Sequence, residues 1–158
     1  MILGIIADSH DNLHKLKKAV SLMNKKNVGM VLHAGDWVAP FAAGIVENNL
    51  KCDYRGIFGN NDGEKEGLTK VSKGKISSDK LELEIFGRKV IVVHDLEKAN
   101  IALENYDIVV CGHTHKVEVK KENNTWVVNP GECGGWLSGK SSIVTLDLIS
   151  DTFKVHIV

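Results

Sequence analysis

Five apolar runs along the chain each lead into polar residues of the kinds that bind metal ions. The runs cover residues 2–7, 31–32, 57–58, 90–93 and 108–111. The polar residues that follow them are Asp8 and His10, then Asp36, Asn60 and His94, then His113 and His115. In open α/β sheets the ligand site lies outside the carboxyl ends of the strands. The sequence therefore predicts that five segments bring their polar ends to one edge.

These residue types make a mixed oxygen and nitrogen donor set without a thiolate. Such a set suits Mn²⁺, Fe, Zn²⁺, Co²⁺ or Ni²⁺ better than Mg²⁺ or Ca²⁺, which favour oxygen. Seven candidates are too many for one ion and fit two ions that share a carboxylate. Taken singly, each piece has an ordinary explanation, such as a turn at Gly35-Asp36 or a packed core histidine at His94. Their shared position after strands argues against coincidence.

The remaining pattern predicts an α/β fold with mixed sheets. Helices are expected over residues 13–26 with Asn12 as the cap, over 40–49 with Pro40 in the first turn, and over 96–105. Residues 63–80 are expected to be a loop with one helical turn, and hairpins should fill the second half of the chain. The 158 residues are expected to form one domain, 1–158.

Composition narrows the function classes. Lys+Arg and Asp+Glu number 20 each, so the zero net charge disfavours nucleic-acid binding as the main role. The three cysteines are widely spaced and predict neither a disulfide framework nor a zinc site. No signal peptide or membrane-length apolar run is recognised, so a cytoplasmic location is expected.

The ordered motifs resemble those of the calcineurin-like metallophosphoesterase superfamily, whose signature is D-x-H, G-D, G-N-H-[DE], a lone H and G-H-x-H. The chain is most similar to the small single-domain phosphodiesterase group, which also has an N-P-G-S-like segment. That segment reads Asn129-Pro130-Gly131-Glu132 here. The resemblance covers essentially the whole chain and implies a four-layer α/β/β/α sandwich of two mixed sheets.

The resemblance also implies roles for individual residues. The first metal ion would be bound by Asp8, His10, Asp36 and His115. The second would be bound by Asp36, Asn60, His94 and His113, so Asp36 would bridge the two ions. Asn61 replaces the histidine often credited with protonating the leaving group, and Asp62 is expected to orient its neighbours. Asp95 follows His94 where the family commonly has glycine.

The expected function is hydrolysis of a small phosphoester, most simply a phosphodiester, by a hydroxide bridging two divalent transition-metal ions. Manganese is favoured among Mn, Ni, Fe, Co and Zn, and no membrane or stable nucleic-acid partner is expected. A homodimer is left open. The alternative is a non-catalytic protein-interaction scaffold of the same fold, as in the retromer subunit. Trp37 and Trp136 could wall the site or simply pack, and His33 is expected close behind Asp36.

Overall fold

The computed structural model describes residues 1–158 and contains ten strands and three α-helices. The strands are β1 (Ile2–Ile6), β2 (Met30–His33), β3 (Asp53–Gly56), β4 (Lys80–Ile85), β5 (Arg88–Val93), β6 (Ile108–Val110), β7 (Val117–Glu122), β8 (Thr125–Pro130), β9 (Ser142–Asp147) and β10 (Thr152–Ile157). The helices are α1 (Leu13–Lys25), α2 (Pro40–Asn49) and α3 (Lys65–Val71). A single 3₁₀ turn covers Leu103–Asn105.

The strands form two mixed five-stranded sheets. The first has the order β10-β9-β1-β2-β3, in which β1, β2 and β3 are parallel and β9 and β10 are antiparallel. The second has the order β4-β5-β6-β8-β7, in which β5, β6 and β8 are parallel between antiparallel edge strands. The expected α/β class with two mixed sheets is confirmed. In each sheet, the three parallel strands have their carboxyl ends at the same edge.

The main core lies between the two sheets. Leu3 and Ile5 of β1 face Val90 and Val92 of β5 within a cluster of fifteen buried residues. Ile6 points the other way, into a second cluster formed with the helices. Because a layer covers each face of β1, this strand is apolar at nearly every position, as the sequence run indicated.

Helix α1 begins where the sequence predicted. The Asn12 side chain accepts a hydrogen bond from the Lys15 backbone N–H at 3.2 Å and so caps the helix. Leu16, Val20 and Met23 are buried against the first sheet. Helix α2 starts at Pro40, also as predicted. No helix combines the length and the apolar character that crossing a membrane requires.

The helix predicted over residues 96–105 was wrong. Only the 3₁₀ turn forms there, and Asn100 has a φ angle of 48°, which an α-helix cannot accommodate. Leu96, Ala99 and Ile101 nevertheless cover the outer face of the second sheet as irregular chain. The loop prediction for 63–80 was too cautious, since the seven-residue α3 lies within it.

Trp37 packs in the core and does not wall the site. Its side chain is fully buried, its ring stacks on His33 with centroids 3.6 Å apart, and its indole N–H donates to the Ile57 carbonyl. His33 does lie beneath the strand ends, where its Nε2 contacts Ser9 Oγ at 3.1 Å. Burial lowers the pKa of His33 to about 3, so this ring is neutral. Both side chains lie in the core behind the predicted ligands.

A cavity created between the two sheets should destabilise the folded protein. We expect Ile5→Ala to lower the free energy of unfolding by about 2–5 kcal/mol, because it removes buried methylene groups from a closed core. Ile149 is 73% exposed, so the matched change Ile149→Ala should have an effect within about 0.5 kcal/mol. Urea unfolding of both variants measures this difference. Equal losses would contradict the layer assignment.

Candidate metal centre

The predicted ligands lie together at the carboxyl ends of parallel strands from both sheets. Asp8 follows β1 and Asp36 follows β2. His94 comes directly after β5, and His113 and His115 follow β6. The site therefore forms where the two sheets meet, as expected for a ligand site at an α/β sheet edge.

Five of the seven predicted ligands have backbone φ angles in the left-handed region, which non-glycine residues adopt rarely. They are Asp8 (51°), His10 (43°), Asp36 (60°), His113 (67°) and His115 (60°). Each such residue costs about 1–3 kcal/mol and persists only where the surroundings hold it, most often at functional sites. The sharp turns behind the strands bring the side chains into one cluster.

One group of ligands consists of Asp8, His10 and His115. His115 Nε2 lies 3.6 Å from Asp8 Oδ1 and 3.4 Å from His10 Nε2. His10 Nε2 is 3.8 Å from Asp8 Oδ1. One donor atom from each of the three residues falls within 4.8 Å of the others, a separation that a single ion could span.

The other group lies around His94. Its Nε2 is 2.9 Å from Asn60 Oδ1, and His113 Nδ1 is also 2.9 Å from that oxygen. Asp36 lies between the two groups, with Oδ2 3.5 Å from His10 Nε2 and 3.4 Å from His94 Nε2. All seven predicted ligands are therefore brought together, and the His113 backbone N–H also donates to Asp8 Oδ2 at 3.0 Å.

Hydrogen bonds on the far side of two rings fix which nitrogen faces the cluster. His94 Nδ1 contacts the Ala34 carbonyl at 2.7 Å, and His115 Nδ1 contacts Glu132 Oε2 at 3.1 Å. An acceptor at one ring nitrogen keeps the proton there and leaves the other nitrogen free to bind a metal. Sequence reasoning placed Glu132 only within the N-P-G-S-like segment and assigned it no role.

The charges of the cluster follow from burial and from its hydrogen bonds. Burial raises the pKa of Asp8 to about 6, against the opposing effect of His94 and His115. Burial also opposes ionisation of Asp36, but hydrogen bonds from His94 and Asn61 outweigh it and lower the pKa of this carboxyl. Burial lowers the pKa of His10. Carboxylates beside neutral imidazoles are the forms that bind a divalent cation.

Asn61 and Asp62 contact the cluster from the β3 side. Asn61 donates to Asp36 twice, from its backbone N–H to Oδ1 at 2.8 Å and from Nδ2 to Oδ2 at 2.7 Å. The Asp62 carboxylate accepts hydrogen bonds from the backbone N–H groups of Asp36, Val38 and Gly59. Asp62 thus holds the loops that carry Asp36 and Asn60. Its carboxylate oxygens are engaged by backbone N–H groups.

Asp95 lies on the open side of the second group. Its Oδ2 is 3.5 Å from His113 Nε2 and 2.9 Å from Lys98 Nζ. The hydrogen bond from Lys98 holds the pKa of Asp95 below its usual value, so the carboxyl is ionised and is a poor proton donor. A cavity of about 360 Å³ opens beside Asp95 and His94, with Lys65, Lys80 and Lys98 among its lining residues.

The donor set fits divalent transition metals. Four imidazoles, two carboxylates and one amide oxygen combine nitrogen and oxygen donors, which suits Mn²⁺, Fe²⁺, Co²⁺, Ni²⁺ or Zn²⁺. The free thiols of Cys52, Cys111 and Cys133 contribute no donor atom to either group.

Comparison with known proteins gives consistent results. The family model of the calcineurin-like phosphoesterase superfamily domain matches residues 1–151. Phosphodiesterase MJ0936 of Methanocaldococcus jannaschii is 36% identical over 155 residues, which cover 93% of this chain and 93% of that protein. A solved structure of an archaeal phosphodiesterase has a TM-score of 0.90 at 34% identity and covers 100% of both chains. A Vps29 variant of Entamoeba histolytica, with a TM-score of 0.73, 18% identity and coverage of 100% and 98%, shows the fold alone.

Gly59 gives a direct test of how Asp36 is held. A methyl group at this position would overlap the Asp36 carboxylate and backbone nitrogen. We expect Gly59→Ala to weaken Mn²⁺ binding by at least about tenfold, the lower bound for disturbing the surroundings of a metal ligand. A methyl group on the nearby Gly63 would contact nothing within 4 Å, so Gly63→Ala is the matched control. Calorimetric titration measures both; unchanged affinity in Gly59→Ala would refute this placement of Asp36.

Proposed function

The chain belongs to the calcineurin-like phosphoesterase superfamily, and from this premise we propose that it hydrolyses phosphodiesters with two divalent metal ions that share Asp36. It is a metal-dependent phosphoesterase, and its family and its phosphodiesterase relatives were those that the sequence motifs indicated. The observation that carries the proposal is the position of Asp36 Oδ2, 3.5 Å from His10 Nε2 and 3.4 Å from His94 Nε2.

In this proposal the first ion is bound by Asp8, His10, Asp36 and His115. The second is bound by Asp36, Asn60, His94 and His113. Two such ions, when bound, supply Lewis acidity that acidifies water and neutralises charge on the phosphoryl oxygens. We favour Mn²⁺, because hard carboxylates and an amide oxygen accompany the imidazoles.

The chain's own residues supply position and hydrogen bonds. Asp62 accepts hydrogen bonds from three backbone N–H groups and so fixes the position of Asp36 relative to the Asn60 loop. Asn61 provides an amide N–H beside Asp36 that can donate to a phosphoryl oxygen but carries no acidic proton. The proposal assigns these roles in catalysis to Asn61, Asp62 and Asp36.

The proposal also covers the substrate class, the domain organisation and the cellular location. The substrate is a small phosphoester, and residues 1–158 act as one metallophosphoesterase domain, supported by the family match over 1–151. Three free cysteines support a reducing, cytoplasmic location, and the balanced charge supports a non-nucleic-acid substrate. Whether two chains associate does not enter the mechanism, since every proposed ligand comes from one chain.

The proposal predicts metal-dependent hydrolysis of a chromogenic phosphodiester. Protein stripped with chelator should be inactive, and reloading with Mn²⁺ should restore activity as the bound metal approaches two per chain. We expect His94→Ala to lose more than about 100-fold in activity, beyond the usual effect of disturbing groups behind a ligand. His14 is exposed outside the cluster, so His14→Ala is the matched control. Saturation at one metal, or no hydrolysis with full loading as a scaffold would show, would refute the proposal.

Asn61 predicts a strong dependence on the leaving group. A general acid contributes about 10²–10⁴-fold when the leaving group is poor, and an asparagine cannot supply that proton. Esters of acidic phenols should therefore react much faster than esters of ordinary alcohols. We expect Asn61→His to flatten this dependence by accelerating alkyl esters selectively.

The measurement is the rate across a graded series of leaving groups in both proteins. Asp95 is the alternative proton donor, but its ion pair with Lys98 favours the carboxylate. A shallow dependence in the unsubstituted enzyme would show that another group supplies the proton and would contradict this account of Asn61.

A further inference from the structure

Glu132 is a fully buried carboxylate in direct contact with a proposed metal ligand. Its Oε2 lies 3.1 Å from His115 Nδ1, on the side of the ring that faces away from Asp8. A carboxylate buried to this extent is costly unless it is fully paired. Its position therefore calls for a specific explanation.

The other partners of Glu132 are backbone N–H groups of one short segment. Trp136 N–H donates to Oε2 at 2.9 Å, Leu137 N–H donates to Oε1 at 3.0 Å, and Ser138 N–H also donates to Oε1. These three N–H groups bind both carboxylate oxygens of Glu132. The carboxylate is thus held in place independently of His115.

The two histidines of the G-H-x-H motif present opposite ring nitrogens to the cluster. His113 directs Nδ1 to Asn60, whereas His115 directs Nε2 to Asp8 and His10. Two residues in one short loop therefore need opposite tautomers if both are to bind metal in the neutral form. For His115, the proton must be on Nδ1, where the N–H group can donate a hydrogen bond to Glu132.

We propose that Glu132 is a positioning residue that holds His115 in the Nδ1–H tautomer, with Nε2 free to bind the first metal ion. The inference rests on the proposed ligand set for its metal-binding consequence, but not for the tautomer. Carboxylates behind metal-binding histidines fix ring orientation and raise the basicity of the ligand.

The same carboxylate also fixes a segment beside the site. The Trp136 side chain is exposed, and its indole N–H donates to the His10 carbonyl at 3.1 Å. Glu132 therefore ties His115, and Trp136 ties His10, to the same turn of chain. A loss of Glu132 should disturb the first ion's ligands and leave those of the second, around His94 and Asn60, unchanged.

The first test needs no substitution. In metal-free protein at mildly alkaline pH, ¹⁵N NMR of the histidine rings should show the proton of His115 on Nδ1 and none on Nε2. His94 serves as an internal reference, because its Nδ1 contacts the Ala34 carbonyl at 2.7 Å. A proton on Nε2 of His115 would overturn the proposal. This readout stands even if the protein binds no metal, so it separates this proposal from the proposed function.

The second test measures metal binding in Glu132→Gln and Glu132→Ala. Mn²⁺ affinity of one of the two sites should fall by about 10–100-fold, while the other site binds as before. Glu118 lies on an exposed strand and pairs only with Lys120, so Glu118→Gln is the matched control and should bind both ions normally. Equal weakening of both sites, or none, in a folded Glu132→Gln variant would refute the positioning role. If neither variant folds, the tautomer measurement decides.

Discussion

Two carboxylates buried at the meeting point of the sheets, Asp8 and Asp36, set the constraint on which the rest of the site depends. Both side chains are almost completely shielded from water. Burial disfavours ionisation, and a buried carboxylate becomes stable when it is paired or coordinates a metal. Ring nitrogens of His10, His94 and His115 lie within 3.4–3.8 Å of these carboxylates and can donate electron pairs to the same cation. Burial raises the pKa of Asp8 to about 6, and a bound cation would favour its ionised form.

The fold meets this constraint by packing two sheets face to face, so that the ends of their parallel strands meet at one edge of the sandwich. Neither sheet alone provides the full donor set, since Asp8, Asp36 and Asn60 follow strands of the first and His94, His113 and His115 follow strands of the second. The apolar core between the sheets therefore also fixes the distance between the two halves of the site. Left-handed backbone at five ligands is the strain that this arrangement requires.

Much of this could be predicted from the sequence, because the information was local. Apolar runs followed by Asp, Asn or His indicated both the strands and the sheet edge. Asn12 and Pro40 marked the starts of helices through their own backbone preferences. The irregular chain at 96–105 was missed, because apolar residues that cover a sheet can have helix-like spacing without forming a helix.

The role of Glu132 could not be inferred in this way. It depends on the 136–138 turn folding back over the carboxylate and on His115 approaching from a distant strand, and no local pattern encodes either contact. Trp37 is similar, since its position beside Asp36 in sequence gave no sign that its ring stacks under the site on His33.

Diffraction from Mn²⁺-loaded crystals at the manganese absorption edge tests the central claim most directly. The account predicts two anomalous peaks about 3.5–4 Å apart, the usual spacing of two-metal sites. One should lie among Asp8, His10 and His115, the other among Asn60, His94 and His113, with Asp36 contacting both. A single peak in fully loaded protein, or two peaks that do not share Asp36, would contradict it.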